Sequence, residues 1–225
     1  MEKYGAGSII VSEYDPNWPA LFEQESIRIK KALGSHALAI EHMGSTAVPG
    51  LPSKPIIDLL VGVPNLEEAK ERCIGPIEEL GYIYMPEYAS WLPGELFFRK
   101  GPPGPWTHHM HLMEPSYSRW EALLVFRDYL RAHPEAAQAY ADIKRALANS
   151  SVDDIEAYRT GKHLFVEETT AKARAWRAGT PQSDRPTSAV GTKRISRGAS
   201  RRLLLRVDRK SPTSGQTDAI DPIRS

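Results

Sequence analysis

LAIEHMGSTAVPGLPSKPIIDLLVGV, Leu38 to Val63, sets two short apolar runs, LAIEHM and PIIDLLV, on either side of a loop rich in Gly, Ser, Thr and Pro. The second run carries a single charge, Asp58, among Ile, Leu and Val, which is the composition of a strand buried on both faces. An unpaired carboxylate there would cost about 2 kcal/mol or more. Asp58 therefore needs a cation, a donor or water beside it, and a functional role is one reason to keep it. Upstream, Gly44-Ser45-Thr46 follows directly on a strand-like run, where backbone amides and hydroxyls can converge on an anion. Pro49-Gly50 and Pro52 keep the connection compact. A helix opening at Ser45 or Thr46 would favour phosphate by about 0.3 to 1 kcal/mol, and Lys54 would add a mobile charge.

HMGSTAVPGLPSKPIIDLLV strongly resembles the signature of the GrpB family, small proteins related to the nucleotidyltransferase superfamily. The resemblance continues through FFRK (Phe97 to Lys100), HHMHL (His108 to Leu112), FRDYLR (Phe126 to Arg131) and Tyr158 with Lys162, and it covers roughly Ile9 to Trp176. In the superfamily a Gly-Ser pair opens a helix after the first strand, and the second strand carries two acidic residues in alternate positions. Gly44-Ser45 and Asp58 match, whereas Leu60 stands where the second carboxylate would be, because strand residues two apart share a face. Two-metal transfer needs ligands that bridge two cations. A single Mg²⁺ or Mn²⁺ held by Asp58 and substrate phosphates is the cofactor that the resemblance leaves chemically reasonable.

The composition is that of a soluble chain: 225 residues, 41% hydrophobic and 25% charged, with a net charge of +1. That balance hides an asymmetry. From Ala178 onward ten Lys/Arg stand against four Asp/Glu, leaving 19 against 24 in the first 177 residues out of totals of 29 and 28. The expected organisation is a domain over residues 1–177 and a basic tail over 178–225, whose Ser, Thr, Pro, Gly and Arg cannot bury enough surface to offset chain entropy and so favour disorder. The tail has no aromatic residue to stack on bases. No apolar run approaches a membrane span, and Met1-Glu2-Lys3 lacks the pattern of a signal peptide, so the expected location is the cytoplasm. The lone Cys73 falls on an apolar helical stripe with Leu66, Ala69, Ile77 and Leu80 and reads as a small core hydrophobe.

Working outward, Ile9 to Tyr14 reads as a short strand or extended lead-in. Asp15-Pro16 starts a helix that Gly34 ends. Leu38 to Met43 is a strand with His42 on one face and Glu41 on the other. Asn65 with Glu68 forms a capping-box pattern for a helix to about Leu80, irregular around Gly75-Pro76. Tyr82 to Pro86, Leu96 to Lys100 and Thr107 to Met113 read as strands. Helices follow from Ser118 with Glu121 to Ala132, from Pro134 to about Ala148, and from a Ser151–Asp154 cap toward Trp176. The expected fold class is an α/β or α+β core: a nucleotidyltransferase-like mixed sheet packed with helices, a C-terminal helical part and the tail.

His109 and His111 lie two apart and so on one strand face, a spacing open to metal binding or phosphate contact. The resemblance points to His111. With Asp58 it would make a softer ligand set, compatible with Zn²⁺ or Mn²⁺, or it would serve as an acid, a base or a phosphate donor. Arg127, Lys144 and Lys162 each interrupt an apolar helical stripe. One such residue commonly covers the core with its stem; three, in blocks that resemble the family's, imply an anion site at Ser45 and Thr46, with Arg99 a weaker fourth. The implied function is nucleotidyl transfer from a nucleotide to an unknown acceptor. The alternative is a noncatalytic module for a nucleotide or other phosphorylated small molecule, in keeping with family members joined to dephospho-coenzyme A kinase domains. No repeat, Walker loop, Rossmann fingerprint, zinc-finger spacing or nucleophile elbow appears.

Overall fold

The computed structural model describes residues 10–102, 106–150 and 155–179; the expected cap at Ser151–Asp154 and the tail from 180 onward lie outside them. Five strands, β1 (Ala39–Met43), β2 (Ile57–Gly62), β3 (Tyr82–Tyr84), β4 (Glu95–Lys100) and β5 (His108–Met113), form one sheet in the order β1-β2-β5-β4-β3. The central pair, β2 with β5, is parallel, and the other three pairings are antiparallel. This is a mixed α+β fold, as the order of sequence elements predicts.

Alternation along the strands decides what covers each face. Ile57, Leu59 and Val61 of β2, Met110 and Leu112 of β5, and Leu96 and Phe98 of β4 point one way. They join Trp18, Phe22, Ile29 and Leu33 of α1 (Trp18–Leu33) in the main core. Ala69 of α2 (Leu66–Arg72), Ile77 of α3 (Ile74–Glu79) and Cys73 between them complete that layer. Cys73 is wholly buried, and burial pushes its thiol pKa up, with Glu68 adding to the effect. On the opposite face Met43, Leu60 and Met113 pack against Trp120, Leu123 and Leu124 of α4 (Ser118–Ala132). The Pro-rich loop after β1 is clamped from outside. Its Val48 and Leu51 pack with Leu130 of α4, Tyr140 and Ala141 of α5 (Pro134–Ser150) and Val166 of α6 (Ile155–Gly179).

Several local expectations shift. The first helix begins at Trp18, not at Asp15-Pro16. The Asp15 carboxylate accepts from the Asn17 amide at 2.8 Å, closing a turn ahead of the helix, and Pro19 takes the early helical position. Asn65 does cap α2, accepting from the Glu68 amide at 2.8 Å. That helix stops at Arg72, however, and α3 starts at Ile74, because Pro76 has no N–H with which to continue the ladder. Ser118 is already helical and its cap position is Tyr117, with no side-chain cap bond, so the pairing with Glu121 does not form as expected. The lead-in before α1 contributes one bridge, Ser12 with Ser53. No described helix is long and apolar enough to cross a membrane.

Candidate functional site

β1 runs out at Met43, and the chain turns at once through Gly44, whose φ of +72° favours glycine. A second demand falls on the same residue: a Cβ at position 44 would stand 2.2 Å from Asp58 Oδ2. The turn therefore brings the backbone of the Gly44-Ser45 loop directly against the carboxylate of β2. Ser45–Ala47 is a single 3₁₀ turn of three residues, too short to sum a helix dipole of consequence, so anion affinity at this point would come from the Ser45 hydroxyl and from neighbouring cations.

Asp58 keeps 21% of its side chain in solvent and approaches His109 Nδ1 at 3.4 Å through Oδ1. The two are register partners across the parallel pair. Burial alone would push the Asp58 carboxyl up, but the His109 hydrogen bond and the attraction of His109, His111 and Lys54 outweigh it and hold the pKa below the ordinary aspartate value. Burial takes the His109 imidazole the other way, down to about 4 against the pull of Asp58. At neutral pH the pair is thus a carboxylate facing a neutral ring, and only a proton on Nδ1 makes the contact attractive.

His111 shares the face of Asp58, as alternation predicts, but occupies the next row, in register with Leu60 and Phe97. Its Nδ1 lies 3.3 Å from Glu95 Oε2, and neither side chain is exposed; Arg119 of α4 approaches the same carboxylate at 3.6 Å. The imidazole paired with Asp58 is His109. The sequence could place both rings on one face, but it could not say which of them the register of two strands 51 positions apart would set beside Asp58.

The other expected residues divide into two groups. Lys144 on α5 donates to the Pro52 carbonyl and lies 4.7 Å from the Tyr140 ring centre. Desolvation, helped by Arg145, lowers its pKa to about 7. Lys162 on α6 and Lys54 on the loop both lie over the Tyr158 ring, at 4.5 and 5.9 Å. Tyr140 adjoins Ser45, whose hydrogen bond works against the effect of burial, which raises the phenol pKa. Gly161 lets α6 come close to α5, since a Cβ there would meet Leu147 at 2.4 Å. Lys144 of α5 thus reaches the loop that carries Ser45 and Lys54, and Lys162 of α6 shares the Tyr158 ring with Lys54. Arg127 departs from the expectation. Its guanidinium donates to Glu41 at 2.9 Å, to the His42 carbonyl at 2.8 Å and to Asp128 at 2.8 Å, so it braces α4 against β1. Thr46 is fully buried, donating to the Ile56 carbonyl at 3.2 Å and contacting His42 Nε2 at 3.0 Å. Its hydroxyl ties the two ends of the loop together.

His42 itself lies on the other face, stacked on Phe22 at 4.6 Å. Burial lowers its pKa to about 4, against Asp58, with Arg131 and Arg127 adding to the depression. Among the described residues no three His, Cys, Asp or Glu side chains converge as a metal-binding group.

A sequence profile of the family described as GrpB protein matches residues 8–172. The chain belongs to the GrpB family. The UPF0157 protein PA4798 of Pseudomonas aeruginosa is 42% identical over 165 residues, which are 72% of this chain and 66% of that protein. A solved structure of conserved protein GrpB from Enterococcus faecalis superposes with a TM-score of 0.68 at 38% identity, covering 74% of this chain and 99% of the other. A dephospho-CoA kinase of Mycolicibacterium paratuberculosis is 28% identical over 186 residues, 72% of this chain but 45% of the kinase. This GrpB-family chain therefore spans less than half of that kinase and about two-thirds of the Pseudomonas protein.

Proposed function

We propose that the chain binds a nucleoside triphosphate between the Gly44-Ser45 loop and α5–α6 and transfers its nucleotidyl group to an acceptor hydroxyl at Asp58, the bond to the β-phosphate breaking to release pyrophosphate; another phosphorylated small molecule would be bound there without transfer. The observation that carries this reading is the placement of Lys144 on the Pro52 carbonyl of the Ser45 loop and of Lys54 and Lys162 on the one Tyr158 ring, with the lowered-pKa, partly open carboxylate of Asp58 against the backbone of the same loop. Lysines with a hydroxyl and close backbone suit phosphate oxygens. In this reading Asp58 would orient an attacking hydroxyl or share a cation with the phosphates. A divalent cation such as Mg²⁺ or Mn²⁺ would take one carboxylate from the protein, that of Asp58, and complete its shell with phosphate oxygens and water. When bound it would neutralise phosphate charge. The donor set does not suit two bridged cations, since Leu60 is buried against Trp120 and its neighbours on α4 where a second carboxylate would be needed.

Leu60 also favours a second reading, a noncatalytic accessory module that keeps the phosphate cradle. That a dephospho-CoA kinase contains a segment 28% identical to this chain supports this second reading. A thermal-shift screen of the four ribonucleoside triphosphates, with and without Mg²⁺ or Mn²⁺, on wild type, Ser45→Ala and Asp58→Asn tests the two together. A ligand at a hundred times its dissociation constant should stabilise the fold by about 2.7 kcal/mol. Metal-dependent stabilisation lost in Asp58→Asn, followed by turnover of the labelled nucleotide, supports transfer. Binding that survives the substitution without any turnover supports the module. No shift with any nucleotide or phosphorylated metabolite sinks both.

A further inference from the structure

α4 ends at Ala132 and α5 begins at Pro134, whose ring can open a helix but not continue one. The corner between these helices meets the Pro49-Gly50 turn of the loop after β1, and a groove of about 400 Å³ lies between them. Sites for small organic ligands span about 300 to 1,000 Å³. Pro49, Leu51, Leu130, Pro134 and Ala137 give the groove apolar walls. Gly50 turns the chain at a φ of +78° and leaves space beside it, since a Cβ there would meet nothing within 4 Å.

Arg131 is the one charged residue among the described residues that line the groove. Its Nε donates to the Ala47 carbonyl at 2.8 Å, which fixes the guanidinium against the turn that follows Gly44. Its Nη1 stands 3.9 Å from Asp128 Oδ1, beyond bonding distance, and the terminal N–H groups make no hydrogen bond among the described residues. Asp128 is already engaged at shorter range, by Arg127 at 2.8 Å and Arg177 at 3.3 Å. The Arg131 side chain keeps 26% of its surface in solvent. Burial and the repulsion of Arg127 hold its pKa below the ordinary arginine value in spite of Asp128 and Glu41, so its charge is incompletely compensated where it stands.

We infer that this corner binds a small organic anion with an apolar body, its carboxylate or phosphate group on the terminal N–H groups of Arg131 and its hydrocarbon part against Pro49, Leu51 and Pro134. A guanidinium presents paired donors that match either oxyanion, and the walls supply the apolar contact that a free inorganic ion would not use. The same guanidinium holds Ala47, so the occupant sits against the outer end of the turn that begins at Ser45. The inference does not rest on the nucleotide reading.

Methyl NMR of the full chain labelled at alanine tests this, because Ala137 and Ala141 line the groove while Ala69 lies in the main core. Phenylacetate, phenyl phosphate and the uncharged 2-phenylethanol serve as probes. At least one anion should shift the Ala137 and Ala141 methyls saturably and leave Ala69 in place; which anion does so separates carboxylate from phosphate chemistry. The alcohol should bind more weakly by about tenfold or more, as should the effective anion in Arg131→Gln. Ala137→Phe, which fills the groove and keeps Arg131, should abolish the shift at Ala141 and covers the case in which Arg131→Gln does not fold. No saturable shift with either anion, equal affinity for the alcohol, or unchanged affinity in either folded variant overturns the inference.

Discussion

At Gly44 two requirements coincide: a φ of +72° with ψ near 180°, and a carboxylate oxygen where a β-carbon would go. Gly44→Ala should cost about 1 to 3 kcal/mol in backbone strain alone and push Asp58 out of place. Urea denaturation should show the first effect, and loss of metal-dependent nucleotide stabilisation the second. The two imidazoles held near pKa 4, His42 and His109, make the fold sensitive to mild acid. Each titrates near 6.5 when unfolded, so the unfolded chain binds more protons between pH 6.5 and 4, and stability falls as pH drops through that window. The loss is up to about 3 kcal/mol for each ring. Glu25 and Asp58, whose pKa values are lowered from 4.5 and 3.8, add a further loss as pH falls through and below those values. Urea midpoints measured from pH 7 to 4 should decline, and His42→Asn should decline less steeply. Among single residues Asp58 was the most legible, because a charge inside an apolar run calls for an explanation wherever it occurs. Its partner was not: spacing allowed His109 and His111 alike, and only the pairing of β2 with β5 chooses between them.

Helices were legible as elements and less so in what their charged residues meet. Periodicity turned Arg127, Lys144 and Lys162 inward, and all three are buried. Their partners lie 86 positions away for Arg127 and 92 for Lys144, beyond the reach of local pattern. Lys144 bonds the Pro52 carbonyl and Lys162 shares the Tyr158 ring with Lys54, whereas Arg127 is taken by Glu41. Arg127→Ala should therefore act as a structural lesion. Removing one member of a buried ion pair costs about 3 to 5 kcal/mol, and the lower end applies because Asp128 keeps Arg177 at 3.3 Å and Arg131 at 3.9 Å. The check is calorimetry: a large drop in melting temperature is expected, and an unchanged one would return Arg127 to the list of ligand-binding groups. Breaks within elements were partly visible. Pro76 marked the irregular helix after β2, and the structure resolves it into two short helices meeting at Cys73.

For the whole molecule the sheet order has a kinetic meaning. β2 and β5 join at the centre, Ile57 beside His108, after the chain has made β3, β4 and two helices in between. Closing so distant a pair before its contacts can reward it is slow, so this seam should form late in folding. It should also open only when everything opens. Amide hydrogen exchange at Leu59, Leu60, Met110 and His111 is expected to report the full unfolding free energy, while the ends of β3 exchange by local fraying; faster exchange at the seam than at the edge would contradict this. Asp58 and His109 sit one on each side of that seam. A partly folded chain can hold the loop or the histidine strand, but not the pair, so no intermediate with the seam unzipped can present the site, and the appearance of binding during refolding would itself time the closing of the sheet.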